Sequence, residues 1–133
     1  MLGTTQDVSR TTHKIAGHRV LHALESAEWI RLSSSSADLT IYAGDFNTEP
    51  TDVPYKMLRN FALLDDAWED IHVATEEETG RTCGTDRNSF SVAADEGGKR
   101  IDYIMHRAGP NVKSKVVMCE LPLTDRVPGK DYR

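Results

Sequence analysis

The chain has 133 residues, with 16 Lys and Arg against 21 Asp and Glu, a formal net charge of −5 at pH 7. With 38% hydrophobic and 28% charged residues it falls among ordinary globular proteins, which excludes collagenous, low-complexity and membrane-spanning classes. Acids dominate residues 1–98, most densely from Asp65 to Glu78. That surface argues against sequence-independent duplex binding, so no nucleic-acid partner is expected.

Residues 1–13 are polar and lack an apolar period, so they are expected to be a disordered or non-native N-terminus ahead of one domain over 14–133. From Lys14 to Leu32, Ile15, Val20, Leu21, Leu24, Ala27 and Ile30 recur at helical spacing, and the serine run Ser33–Ser36 then stops the helix. Asp38 to Ala43 alternates and reads as a strand ending at Gly44. Thr51 is expected to cap a helix with Pro54 in its first turn, carrying Tyr55, Met57, Leu58 and Phe61 inward. Leu63 to Ile71 reads as a second short helical piece, and Thr75 to Gly84 as an acidic loop. Ser89 to Val92 reads as a strand before a turn from Asp95 to Gly98. Arg100 to His106 alternates again, with Ile101, Tyr103 and Met105 on one side and Asp102, Ile104 and His106 on the other. Lys115 to Leu121 reads as a last strand, and a tail follows from Pro122. The order of elements predicts a mixed α/β (α+β) domain, with the strand pairing left open.

Trp29 and Trp68 are expected in the core. Cys83 and Cys119 show no metal spacing and read as two reduced thiols of an intracellular protein. The first residues lack a signal peptide's apolar run, and nothing approaches a stretch of ~18 apolar residues, so the chain is expected to be soluble as given.

One segment stands apart: a strand feeding Gly44-Asp45-Phe46-Asn47. Residues two apart in an extended backbone project to one side, so Asp45 and Asn47 would point together beyond the strand's carboxyl end. The carboxylate can accept a proton from water or hold a divalent cation, and the carboxamide can donate to a phosphoryl oxygen. A turn in which Asp and Asn cap backbone N–H groups is the alternative. Asp102, between Ile101 and Tyr103, is expected half-buried and paired with Arg100, two residues away on the same face. His18 and His22 lie four apart on the first helix but have no third ligand nearby. His13, His72 and His106 suggest no site.

Gly44-Asp45-Phe46-Asn47 and Arg100-Ile101-Asp102-Tyr103 together resemble the endonuclease/exonuclease/phosphatase superfamily. More narrowly the chain resembles neutral sphingomyelinases. His18-Arg19-Val20, the strand into Gly44-Asp45-Phe46-Asn47, Leu64-Asp65-Asp66-Ala67-Trp68, Thr82 to Phe90 and Lys99 to Ile104 occur in that family's order, from about Lys14 to Arg133. The resemblance implies part of a four-layer α/β/β/α sandwich. It implies a hydrolase with Mg2+ as cofactor, in which water attacks sphingomyelin, or another phosphodiester lipid at a membrane surface, to give ceramide and phosphocholine. It implies that Asp45 orients or deprotonates the water, that Asn47 hydrogen-bonds the phosphate, that both touch the metal, and that Asp102 positions a catalytic imidazole. No protein partner is implied, and association with a membrane is expected of a full-length member.

The family's metal-binding glutamate precedes its first matched helix, and its histidine lies in a Ser-Asp-His tripeptide that this sequence lacks. The expectation is therefore a piece of the catalytic domain, truncated at both ends and inactive alone. The competing expectations are another superfamily member, a nuclease or an inositol-polyphosphate phosphatase, and a non-catalytic remnant.

Overall fold

A computed structural model describes residues 5–72, 80–84 and 98–122, which form three helices and three strands. Helix α1 spans Thr5–Ser33, β1 Leu39–Asp45, α2 Val53–Ala62, β2 Asp65–Asp66, α3 Ala67–Ile71 and β3 Asp102–Ala108. The α1 helix starts well ahead of Lys14, where the apolar pattern begins. Once a helical nucleus exists, each added residue gains one hydrogen bond without needing a buried face. The serine run ends α1 as expected, and the mechanism is visible. The hydroxyl of Ser33 donates to the Trp29 carbonyl at 2.7 Å, and that of Ser34 to the Ile30 carbonyl, which also accepts the Ser34 N–H, the side-chain back-bonding by which serine competes with a continuing helix.

The buried stripe of α1 is narrower than its sequence suggests. Ala23, Ala27 and Ile30 are buried, whereas Leu21 and Leu24 are exposed. The expectation for Trp29 is overturned, since it is 66% exposed. Trp29 lies off the Ala23–Ala27–Ile30 line that packs into the core. Trp68 is half-buried and stacks on His72 with ring centroids 3.8 Å apart.

Helix α2 buries Tyr55, Leu58 and Ala62, with Met57 partly covered. Phe61, expected inward, is instead 49% exposed. The N-cap is Asp52, not Thr51. Its carboxylate accepts from the Glu49 N–H at 2.8 Å and the Thr48 hydroxyl at 3.2 Å, so it closes the preceding turn and makes no side-chain bond to the helix. Pro54 occupies the first turn as expected, where its missing N–H is harmless. Leu63 adopts a left-handed backbone with φ 55° and ends the helix. That reversal breaks the expected Leu63–Ile71 helix into the short strand β2 and a single turn, α3, whose Trp68 N–H is capped by Asp66 at 2.9 Å.

The sheet order is β1-β3-β2, with both pairings antiparallel. Directly opposed residues of an antiparallel pair share a face. Tyr42, Tyr103 and Met105 therefore lie on the face that packs against Ala23, Ala27, Ile30, Tyr55, Leu58 and Ala62 of the two long helices. The other face carries Leu39, Ile41, Ile104, Asp45 and Asp102, all exposed. The alternation expected from Arg100 to His106 is what sorts these residues. A mixed α/β arrangement is thus observed, as one helical layer on one antiparallel sheet.

Residues 112–122 run without regular structure, so the strand expected from Lys115 to Leu121 is absent. A strand persists only with a ladder partner, and none of the described strands pairs with this segment. The strand expected at Ser89–Val92, most of the turn at Asp95–Gly98 and residues 123–133 lie outside the described residues. No helix among the described residues is long and apolar enough to cross a membrane.

Candidate active site at the end of the first strand

Strand β1 ends on the segment that carries chemistry. Gly44 has φ 154°, a backbone conformation that side-chain-bearing residues rarely adopt, and it delivers the chain to Asp45 at the rim of the sheet. Asp45 is the last residue of β1 and pairs in register with Asp102, the first of β3. The next step of the ladder is a hydrogen bond from the Phe46 N–H to the Ile101 carbonyl at 2.8 Å. Asp45 and Asp102 accordingly form a narrow pair without mutual backbone bonds, the type with Cα atoms about 4.5 Å apart and side chains closest together.

Two like charges placed opposite each other destabilise a sheet. A side chain choice that breaks a local rule at a strand end marks a site of function more than of stability. Asp102 makes no ion pair among the described residues and is exposed, which corrects the expectation of a half-buried acid bound to Arg100. Arg100 lies ahead of β3 and turns inward.

Asn47 stands just beyond the strand with φ 49°, in the left-handed region that Asn tolerates better than most residues. Its N–H donates to Asp45 Oδ1 at 2.8 Å. The capping turn is therefore present, and the extended geometry that would project both side chains to one side is not. Both residues are exposed at the same rim. The turn holds one carboxylate oxygen of Asp45, so the outward-facing group is a partly committed carboxylate beside a carboxamide.

The even-numbered residues of the turn face inward. The Phe46 ring packs between Tyr42 and Tyr103, at centroid distances of 5.1 and 5.2 Å. Thr48 is buried, and its carbonyl lies 2.8 Å from the Tyr103 hydroxyl. The same hydroxyl lies 2.6 Å from the Arg100 carbonyl. Burial holds it protonated, well above the usual tyrosine range.

Below this rim is a network the sequence did not announce. Asp66 is fully buried and accepts from Arg100 Nη1 at 2.6 Å, from the Tyr55 hydroxyl at 2.7 Å and from the Trp68 N–H. Glu69 accepts from Arg100 Nη2 at 3.0 Å and also binds Arg59 and Tyr55. Burial alone would pull the Arg100 guanidinium down, but the hydrogen bond and charge of Asp66 outweigh it and hold the group above its usual value. Burial pushes the Tyr55 hydroxyl up, and the bond to Asp66 pushes it further. The Arg100 guanidinium also lies 4.8 Å from the centre of the Tyr103 ring. Thr82 completes the frame, its hydroxyl oxygen accepting from the N–H groups of both Ile101 and Asp102 at 3.2 Å.

His18 and His22 are exposed on α1. His72 has a ring nitrogen 2.8 Å from the Cys119 carbonyl, and His106 Nε2 lies 2.7 Å from Asp70. His106 is four residues along the strand from Asp102, about 13 Å away at strand rise. Cys83 and Cys119 are free thiols. The oxygen chemistry of Asp45, Asn47 and Asp102 suits a hard divalent cation. No cluster of three or more His, Cys, Asp or Glu that could hold a metal occurs among the described residues, so these groups could supply only part of a coordination shell.

An antiparallel sheet backed by two helices, with a Gly-Asp-Phe-Asn turn and an opposed aspartate at one rim, defines an α/β protein with an acidic strand-end site. Residues 7–125 match the endonuclease/exonuclease/phosphatase family, and the chain belongs to it. It is 31% identical over 129 residues to a Caenorhabditis elegans protein and 33% identical over 119 residues to a Drosophila melanogaster protein, both named provisionally as neutral sphingomyelinases. It is 32% identical over 121 residues to the Mus musculus protein named sphingomyelin phosphodiesterase 2. Each match covers 86% of this chain, and the chain spans 29%, 25% and 27% of the three relatives' lengths.

Proposed function

We propose that this chain contributes part of the active site of a phosphodiesterase that hydrolyses sphingomyelin to ceramide and phosphocholine at an intracellular membrane surface. The observation that carries the reading is the narrow Asp45–Asp102 pair with Asn47 beside it, exposed at one rim of the sheet. The named relatives supply the substrate class. Asp45 orients the attacking water and takes its proton, and Asn47 donates from its carboxamide to a phosphoryl oxygen. The water oxygen bonds to phosphorus, the bond to the ceramide oxygen breaks, and that oxygen leaves with a proton. Asp102 is left to accept a hydrogen bond from an imidazole that supplies it. Mg2+ bound partly by Asp45 and Asn47 would offset phosphate charge and polarise the phosphoryl group.

The test is phosphocholine release from sphingomyelin vesicles with Mg2+ by a polypeptide carrying these residues. Asp45→Ala is expected to lower the rate about 10²- to 10⁴-fold, the usual worth of a general base. Asn47→Ala is expected to lower it about 10²-fold, as for loss of one oxyanion donor. A rate indifferent to both changes refutes the reading. Cleavage of abasic DNA or an inositol polyphosphate in place of sphingomyelin assigns the chain to another branch of the family. Asp45, Asn47 and Asp102 form an incomplete catalytic unit, so the 133 residues alone are proposed to work at background.

A further inference from the structure

We propose that Tyr103 is the positioning residue of this site, its hydroxyl tying the Asp45–Asn47 turn to the start of β3. The geometry stands on the contacts below, and its catalytic consequence rests on the phosphodiesterase reading.

Past the ladder bond from the Phe46 N–H to the Ile101 carbonyl, the turn has no regular structure of its own to hold it. Beyond Asp45 the strand has ended, and Asn47 sits in a left-handed conformation stabilised by a single local bond to Asp45. Two residues anchor it from below. Phe46 stacks on the Tyr103 ring, and the Thr48 carbonyl lies 2.8 Å from the Tyr103 hydroxyl. The same hydroxyl reaches the Arg100 carbonyl, two residues ahead of Asp102. A phenol has one proton, so it bridges the two carbonyls by sharing that donor between them.

Tyr103 itself is 4% exposed and is held from below by Tyr55 and by the Arg100 guanidinium, which Asp66 and Glu69 fix in place. One buried side chain thus touches both backbone pieces that carry the candidate groups. It touches none of the groups expected to meet substrate. Its action is to keep Asp45, Asn47 and Asp102 at one end of the sheet, and small displacements there matter because catalytic groups need close placement.

The test is Tyr103→Phe, which keeps the ring and removes the tether. Exchange of the Asn47 amide, followed by NMR, is expected to accelerate about tenfold, the effect of losing one hydrogen bond. Exchange at Tyr42 and Met105, a hydrogen-bonded pair of the ladder, is expected to stay within twofold. Unchanged exchange at Asn47, or equal acceleration at all three, overturns the proposal. A second variant guards against a Tyr103→Phe protein that does not fold. Phe46→Leu retains the hydroxyl and is expected to leave Asn47 exchange within twofold, and a tenfold acceleration there would assign the tether to ring stacking instead.

In phosphocholine release by a polypeptide that carries these residues within the whole catalytic domain, Tyr103→Phe is expected to lower kcat about tenfold with KM within twofold. Its effect is expected to be less than additive with Asp45→Asn in the double variant, because part of it acts through Asp45, and full additivity counts against the proposal. A polypeptide that carries these residues within the whole catalytic domain and lacks phosphodiesterase activity refutes the proposed function, while the exchange data still decide whether Tyr103 holds the turn.

Discussion

Asp66 offers the sharpest test of how this fold is held together. Its side chain is 1% exposed and faces an Arg100 side chain that is 8% exposed, 2.6 Å away. Asp66→Asn keeps the shape, removes the charge and sets an amide N–H₂ against a donor, either the Arg100 guanidinium or the Trp68 N–H. Removing one partner of a buried ion pair costs about 3–5 kcal/mol, because the remaining charge is left in a poor environment. Glu69 still holds Arg100 at 3.0 Å but is itself 41% exposed, so the lower end, about 3 kcal/mol, applies here. For a protein of this size that lowers Tm by about 10 °C. In urea it lowers the midpoint by about 2 M at an m-value near 1.5 kcal/mol/M. The assay is urea unfolding followed by far-ultraviolet circular dichroism, on wild type, Asp66→Asn, Arg100→Met and the double variant. The double variant removes both charges and is expected to be about 2 kcal/mol more stable than the sum of the single costs predicts. A cost for Asp66→Asn below about 1 kcal/mol, or single costs that simply add, would refute a buried pair as the organising contact.

Tyr55 and Tyr103 set the response to alkali. Burial raises both hydroxyls above the usual value of 10.0, so their contribution is fully present below pH 10 and declines as pH rises beyond it. The unfolded chain ionises first there, and stability falls by up to about 1.4 kcal/mol per pH unit for each tyrosine. Urea midpoints at pH 8, 10 and 11 check this, and a flat profile or an unaltered slope in Tyr55→Phe contradicts it. Gly109→Ala would drive a methyl group into the Ala37 carbonyl oxygen and within 3.1 Å of Asp38 Cα, both backbone atoms. It is expected to cost about 1–3 kcal/mol. Gly17→Ala in α1 meets nothing within 4 Å and is expected to stabilise by about 0.5–1 kcal/mol. Thermal denaturation of the two variants side by side separates steric from propensity effects, and equal behaviour would count against the packing at Gly109.

Much of the site's chemistry is legible in one dimension. Gly44-Asp45-Phe46-Asn47 and Arg100-Ile101-Asp102-Tyr103 are short, local patterns, and the alternation through β3 sorts buried Tyr103 and Met105 from exposed Asp102 and Ile104. Local periodicity determines which side a residue takes along its own strand or helix, because Cα–Cβ directions repeat with the backbone. Helix existence, the serine stop and the place of Pro54 follow from the same local chemistry. Partners do not. Arg100 had a carboxylate two residues away and bound one 34 positions upstream, because burying a guanidinium demands the acceptor that is also buried. Trp29 and Phe61 carry core-type side chains but face outward, since the packed stripes are Ala23, Ala27 and Ile30 on α1 and Tyr55, Leu58 and Ala62 on α2. The register that sets Asp45 against Asp102, and the single tyrosine beneath them, arise from pairing strands separated by more than fifty residues. The sequence by itself determined which groups could do chemistry. Only the tertiary structure decided which of them meet, because strand register and burial are properties of contacts between distant segments.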